Sequence, residues 1–361
     1  MEFALSEEQL AIQDSVERFL ADNCQLEQLR EATADGATHD ATLWRGLTEL
    51  GMASLLVPEA HGGLGLEVLD AALVQETLGK YAAPVNFISS AVLAPLAIAS
   101  AGTTSQQERW LPQLAAGELN VAVGINETGS GKRDGAGITA NCNKLNGRAL
   151  FVLGTRDADL YLLGADDRQL YAVTAGTPGV DITVLTTIDA TQPVIEINLT
   201  DVDAEVLPDS GETLAELVDV ARILFAADSL GASQNMLERA VAYSLERKQF
   251  GRVIGSFQAV KHLCAEMAAE IEPSRSLLWY AAYSCAAVPE DRGVMACHIK
   301  AHMSDVSRFV ARTATEVHGG MGFTDELGLH YWFKRVGFNR QILGGPEKTR
   351  EDAARLQGWI A

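Results

Sequence analysis

Between residues 247 and 258 the chain runs Arg-Lys-Gln-Phe-Gly-Arg-Val-Ile-Gly-Ser-Phe-Gln. A long helical pattern ends near Arg247, Gly251 and Gly255 permit tight turns, and Arg247, Lys248 and Arg252 concentrate positive charge beside the ring of Phe250. Arginine forks match phosphate oxygens, and glycines let a backbone approach a ligand closely. The same composition also fits a solvated loop between two helices. Downstream, Val317-His-Gly-Gly-Met-Gly-Phe323 is a turn by its glycines, and a glycine cluster alone is weak evidence for a phosphate site.

Around these runs the chain sorts into three segments. Residues 1–117 read as helical: Ser6-Glu-Glu-Gln9 has the form of a capping box, Val16, Phe19 and Leu20 fall near helical spacing, and Pro58-Glu-Ala-His-Gly-Gly63 punctuates as a loop before helical periodicity resumes through Leu69 to Leu78. Residues 118–210 change to short β-rich runs, Val121–Ile125, Leu160–Leu163, Tyr171–Val173 and Val194–Asn198, separated by Gly, Asp and Asn. From 211 to 361 long Ala/Leu-rich periodic stretches return, of the kind found in bundle helices. The expected fold is mostly α with a central β domain.

Composition narrows the function. With 28 Lys+Arg against 48 Asp+Glu the formal charge is −20, which argues against nucleic acid and anionic membrane as partners. Any phosphate-bearing ligand then needs a local basic pocket. Five well-separated cysteines without CxxC spacing fit reduced thiols, so the expected location is cytoplasmic. The N-terminus has neither a basic n-region nor Arg-rich character, and no targeting segment is expected. Ala82 to Gly102 has roughly the length of a membrane span, but Pro84, Asn86, Pro95 and three serines favour buried helical pieces.

Taken together, the two glycine-bearing runs resemble the acyl-CoA dehydrogenase family over nearly the whole chain. Val57-Pro-Glu-Ala-His-Gly-Gly-Leu-Gly65 is similar to that family's Pro-Glu-x-x-Gly-Gly-x-Gly, and Arg-x-Gln-Phe-Gly followed by Phe257-Gln258 and Lys261-His262 is a specific match. The resemblance implies an N-terminal helical domain, a β-barrel-like middle domain and a C-terminal four-helix bundle that builds an oligomer. It also implies FAD, whose pyrophosphate in this family is held by an adjacent subunit. Arg247, Gln249, Phe250, Gln258, Gly319 and Gly320 would be those contacts, with Glu316 where the family has Gln, an acid that would repel the pyrophosphate if ionised.

The family's chemistry needs a carboxylate to remove the proton next to the thioester carbonyl, a flavin to accept hydride from the β carbon, and hydrogen bonds to the carbonyl oxygen. One usual place for the base, the Glu of an Ile-Tyr-Glu-Gly-Thr run, falls within Gln341-Ile-Leu-Gly-Gly-Pro346 on Gly344, or on Leu343 if spacing is counted from the His318 turn. The other, on the helix before Arg247, falls on Ala221. Neither bears a carboxylate, so no catalytic residue is assigned; Glu347, following Pro346, reads as a helix-dipole partner in a first turn. Asp219 and Arg222 match the family's Asp-x-x-Arg that contacts CoA, and are the substrate-binding candidates; a surface i,i+3 ion pair is the alternative. In the β domain Asn126-Glu-Thr-Gly-Ser-Gly-Lys-Arg133 stands where the family has Thr-Glu-Pro-Gly-x-Gly-Ser-Asp, and Phe151-Val-Leu153 replaces a Trp-Ile-Thr run along the flavin ring, losing a hydroxyl.

Residues that reach a neighbour's cofactor are mostly kept, while those that would hold this chain's own flavin ring and take the proton are lost. The resemblance therefore implies a subunit of an α2β2 dehydrogenase. Its partners would be an acyl-CoA, bulky ones such as steroid side chains included, a second subunit carrying the catalytic Glu, and an electron-transfer flavoprotein or similar acceptor. A homo-oligomeric enzyme with an unrecognised base and a silent structural subunit remain the alternatives. Cys297-His-Ile-Lys-Ala-His302 has two histidines at i,i+4 but no third ligand, so no metal is expected, and Gly129-Ser-Gly131 lacks the context of a nucleophilic serine.

Overall fold

A computed structural model describes residues 4–36, 38–133 and 135–360. Met1 to Phe3, on which the reading of the N-terminus partly rests, lie outside the described residues, as do Ala37, Asp134 and Ala361.

Among the described residues, six α-helices form the first segment: α1 (Glu7–Asn23), α2 (Leu26–Ala32), α3 (Ala41–Glu49), α4 (Val68–Tyr81), α5 (Ala94–Ala101) and α6 (Thr104–Ala115). The capping box forms as the sequence predicts, with the Gln9 N–H donating to Ser6 Oγ at 3.1 Å and the Ser6 N–H to Gln9 Oε1 at 3.0 Å. The apolar stretch after α4 is a set of buried pieces: the helix ends at Ala82 (φ 51°), and a π-helical segment, Ile88–Leu93, runs straight into α5. Its polar groups are satisfied internally, Asn86 Nδ2 donating to Asn120 Oδ1 at 2.8 Å and Ser90 Oγ accepting the Val121 N–H at 3.0 Å. Among the described residues no helix is long and apolar enough to cross a membrane.

The middle segment holds β1 (Val121–Gly124), the short helix α7 (Asn126–Ser130), β2 (Gly137–Asn141), β3 (Lys144–Leu153), β4 (Leu160–Gly164), β5 (Leu170–Thr174), β6 (Val180–Val184), β7 (Val194–Asp203) and β8 (Glu205–Leu207). They pair in the order β6-β7-β3-β1-β4-β5-β8, with β2 added on β3; β1 and β4 run parallel and the other pairs antiparallel. One face joins the main core through Val121, Val123, Leu160 and Leu162. The other closes over its own cluster around Tyr161, Val152 and Ile197. This alternation is what a two-sided buried sheet requires.

The last segment consists of α8 (Gly211–Glu246), the two-residue strands β9 (Lys248–Gln249) and β10 (Arg252–Val253), α9 (Gln258–Ala287), α10 (Pro289–His318), α11 (His330–Gln341) and α12 (Pro346–Leu356). α8 crosses α4 at glycines: a Cβ at Gly231 would lie 1.7 Å from Glu76 O, and one at Gly79 would lie 2.1 Å from Asp228 O. Beside that crossing all three segments meet in a buried polar knot. Arg335 of α11 donates to Asp228 of α8 from Nε (2.9 Å) and Nη2 (2.7 Å), and to Thr191 Oγ1 at 2.7 Å. Gln75 of α4 and Asn339 of α11 each donate to the same carboxylate at 2.6 Å. Asp228 and Arg335 are essentially inaccessible.

Candidate functional site

The expected cofactor positions lie at one end of the helical segment. The Arg247 N–H closes α8 on Tyr243 O at 2.9 Å, and its carbonyl accepts the Ile254 N–H at 2.8 Å. Between them β9 and β10 form a hairpin in which Gln249 pairs with Arg252. Phe250 (φ 54°) and Gly251 (φ 79°) are its two turn residues, both left-handed, as the two-residue turn favoured by sheet twist demands. Glycine tolerates this; phenylalanine pays for it with about 1 kcal/mol of strain and is thrust out, 92% exposed. Arg252 stacks its guanidinium 3.9 Å over the Phe257 ring, and Gln258 begins α9. Arg247, Gln249 and Gln258 are exposed.

The His318 turn sits at the same end. Tyr243 and His318 hold their rings 4.7 Å apart, which brings the two runs together. His318 Nδ1 donates to Ala314 O at 2.7 Å, and burial pushes its pKa down, which favours the neutral ring. Gly319 turns the chain at φ 59° out of α10, with Glu316 exposed on the helix's last turn. A Cβ at Gly251, Gly319 or Gly320 would meet nothing within 4 Å, so open space lies in front of both turns. Exposed Arg247, Lys248 and Arg252, with the first N–H groups of a 30-residue helix at Gln258, suit a pyrophosphate.

The residues expected along a flavin ring of this chain are arranged differently. A cavity of about 240 Å³ lies between α7, β3 and α11, lined by Asn126, Glu127, Arg133, Leu150, Phe151, Phe338 and Gln341. Glu127 Oε1 accepts the Leu150 N–H at 2.8 Å, and burial pushes its carboxyl pKa up. Phe151 is 37% exposed at φ 52°, and buried Leu153 offers no hydroxyl. Lys132 is spent on Asp166 at 2.7 Å.

At the positions expected for the base, Ala221 and Leu343 are fully buried, and Gly344 is at φ 98°. A Cβ on Gly344 would lie 3.3 Å from Gly129 O and 3.4 Å from Arg222 Nη2. Glu347 opens α12 after Pro346 with its side chain 78% exposed, 3.4 Å from Arg340.

Asp219 and Arg222 do not pair with each other. Asp219 meets Arg292 at 3.3 Å, and burial pushes its pKa up against that partner's opposite pull. Arg222 is 4% exposed and donates to Leu343 O (3.1 Å), Cys297 Sγ (3.2 Å), Gly129 O (2.9 Å) and Asp352 (2.8 Å). It stitches the Gly344 corner to α7, α10 and α12, a role that nothing in its spacing from Asp219 signals. Tyr243 was likewise not legible, its use lying in a ring contact with a residue far along the chain. His302 Nε2 lies 3.0 Å from Ser274 Oγ, and no group of three His, Cys, Asp or Glu among the described residues is placed to hold a metal.

Comparison with known proteins agrees with this architecture. The family model for the acyl-CoA dehydrogenase C-terminal domain matches residues 211–356, and that for the N-terminal domain matches residues 6–118. The acyl-CoA dehydrogenase IpdE2 of Mycolicibacterium smegmatis is 31% identical over 360 residues, covering 99% of this chain and 100% of its own. A chain of the ChsE4-ChsE5 complex from Mycobacterium tuberculosis superposes with a TM-score of 0.91 at 26% identity, covering 100% of both. A chain of the Tcur3481-Tcur3483 steroid ACAD structure gives 0.89 at 28%, covering 98% of each. With both terminal domains matched and a relative aligned along its length, this chain belongs to the acyl-CoA dehydrogenases, a family of oxidoreductases that use FAD.

Proposed function

We propose that this chain is the base-lacking subunit of a heteromeric acyl-CoA dehydrogenase, completing the FAD site of a partner subunit that carries the catalytic Glu. The observation that carries the reading is the contrast between its two ends. The hairpin at Arg247 is open, exposed and cationic and the turn at Gly319 is open, whereas the corner at Gly344 is packed shut around Arg222. The ChsE4-ChsE5 complex, a pair of different subunits by its description, supports this division of labour.

In such an enzyme the partner's carboxylate takes the proton α to the thioester, and FAD supplies the two-electron acceptor for the hydride leaving the β carbon. This chain's contribution is binding and orientation. Arg247 and the free N–H groups at the start of α9 would hold the pyrophosphate, Gln249 and Gln258 would offer amides, the exposed Phe250 would meet the neighbour, and Gly319 and Gly320 would keep the approach clear. Glu316 borders that approach as the acid of the turn. Asp219 and Arg222 face CoA only if Arg222 exchanges protein acceptors for the ligand. Bulky acyl groups, steroid side chains among them, are the substrate class, supported by the steroid ACAD to which the fold is similar; an electron-transfer flavoprotein or similar carrier reoxidises the complex. The compartment is the cytoplasm.

Co-expression tests the reading. Alone, the chain is expected to purify colourless; with a subunit that bears the Glu it is expected to give a yellow complex that oxidises an acyl-CoA. Yellow, active protein from this chain alone would establish a homomeric enzyme, and a colourless, inert complex would establish a silent subunit.

A further inference from the structure

Where α1, α4, α8 and α9 meet, a cavity of about 210 Å³ is lined by Gln13, Glu17, Glu76, Lys80, Gln234 and Arg275. Along α8, Gln234 lies twelve residues after Arg222 and thirteen before Arg247, roughly 20 Å of helix in each direction, so this cavity is separate from both the Gly344 corner and the hairpin end. Its two cations are already matched. Lys80 pairs with Glu17 at 2.9 Å and with Glu238 at 3.5 Å, while Arg275 pairs with Glu76 and lies 4.0 Å from Glu272. Gln234 links the two groups, accepting from Arg275 at 3.4 Å and donating to Glu238 at 2.9 Å. Four carboxylates thus face two cations. Glu76 is the acid left short: it is 5% exposed, Arg275 takes its Oε1, and its Oε2 is buried with no hydrogen-bond partner among the described residues. Burial pushes its pKa up against the pull of Arg275, so the protein meets its charge only in part.

We infer that this cavity binds a small organic cation bearing a primary ammonium or guanidinium group, whose N–H donors supply the hydrogen bond that Glu76 Oε2 lacks. Such a group makes charge-assisted bonds to a carboxylate, and the side-chain amide of Gln13 offers a further acceptor beside it. An anion would meet the excess of acids, and the only cations on the wall are paired. A bare metal ion fits no better, because no group of three His, Cys, Asp or Glu among the described residues is placed to hold one. The volume leaves room for a short alkyl chain behind the charged group. Nothing in this inference uses Arg247, Gly319 or a partner subunit, so it stands or falls apart from the dehydrogenase reading.

Isothermal titration of the full chain at neutral pH with putrescine and agmatine tests it, with butanediol and succinate as the neutral and anionic counterparts. The two amines are expected to bind and the counterparts not to. Glu76→Gln, which keeps the shape of the acceptor and removes its charge, is expected to weaken both amines about tenfold or more. Because Glu76 also holds Arg275, a melting curve checks that this variant folds. Gln13→Lys keeps a straight-chain helix former on α1 and places a competing ammonium at the cavity, so it is expected to weaken binding about tenfold or more whatever becomes of Glu76→Gln. Ser15→Lys, which adds the same charge at an exposed position on the far side of α1, is expected to leave binding unchanged. The site is overturned if neither amine binds at millimolar concentration, if succinate binds in their place, or if folded Glu76→Gln binds as tightly as the parent. It is equally overturned if Ser15→Lys weakens binding as much as Gln13→Lys, which would mark diffuse attraction to the chain's charge of −20.

Discussion

Asp228→Ala is the substitution that most directly probes how the three segments are held together. The carboxylate accepts from Arg335 at 2.7 and 2.9 Å and from Gln75 and Asn339 at 2.6 Å each, and neither it nor the guanidinium is reached by water. Truncation leaves Arg335 charged and buried, with only Thr191 and the Ala83 carbonyl as remaining acceptors. Breaking a buried pair in this way costs about 3–5 kcal/mol, against a total stability of roughly 5–15 kcal/mol for a folded protein. Removing both charges with Asp228→Ala and Arg335→Met leaves no orphaned guanidinium, although buried Asp189 loses the opposing charge of Arg335, so the double variant is expected to lose less than the two single losses summed, with a coupling of about 2 kcal/mol or more. Urea unfolding at neutral pH, followed by far-UV circular dichroism on all four proteins, measures the cycle. If Asp228→Ala lost less than about 1 kcal/mol, or if the two losses simply added, the knot would not be the ionic tie described.

Lys300 is 2% exposed, and its ammonium donates to Asn339 O with no acid beside it; burial, with Arg222 and Arg340 adding repulsion, lowers its pKa from 10.5 to about 7. Folding therefore opposes the charged form, and the penalty is full below pH 7 and disappears as pH rises toward 10.5. Lys300→Met is expected to stabilise by up to about 4 kcal/mol at pH 7 or below and by progressively less up to pH 10, read from urea midpoints; a pH-independent effect would contradict the assignment. Arg247→Ala, at an exposed side chain, is expected to leave the melting temperature unchanged while lowering the FAD content of the co-expressed complex about tenfold, measured by flavin absorbance after gel filtration. Gly344→Glu is expected to lower stability by about 1–3 kcal/mol without creating activity in the chain alone, because φ 98° disfavours a side chain and the carboxylate would enter a packed corner; a stable, active single-chain enzyme would refute this.

Local chemistry was legible in the sequence, and distant partnership was not. The Ser6 cap, the buried pieces between Ala82 and Gly102, and strands such as Leu160–Gly164 all follow from short-range pattern. β3 shows where pattern gives out: it is not among the expected β runs, its hydrophobic residues being interrupted by Asn146 and Gly147, and it is joined to β2 by Cys142-Asn143, both at positive φ in a two-residue hairpin. β3 tolerates the glycine because its register slips between Leu145 and Gly147, and a Cβ at Gly147 would lie 2.1 Å from Gly137 O. The site divides the same way. Arg247 and Gly319 announce themselves in runs, but Arg222 takes its meaning from Leu343, Gly129 and Asp352, which no spacing along α8 reveals.

Arg222 also explains why the base position is closed as well as unfilled. Its guanidinium holds the carbonyls of Gly129 and Leu343 on either side of Gly344 and is itself anchored by Asp352, whose other oxygen is held by Lys348. A carboxylate introduced at residue 344 would lie against that guanidinium and pair with it, and a salt-bridged carboxylate is a weaker proton acceptor than a free one. Cutting Arg222 back to make room would free two buried carbonyls and leave Asp352 half-paired, at a cost of about 1–3 kcal/mol for each buried group left unsatisfied. Regaining the base in this chain therefore needs coordinated change at Gly344, Arg222 and Asp352. A partner that brings its own carboxylate needs none of them, and uses only the open end at Arg247 and Gly319.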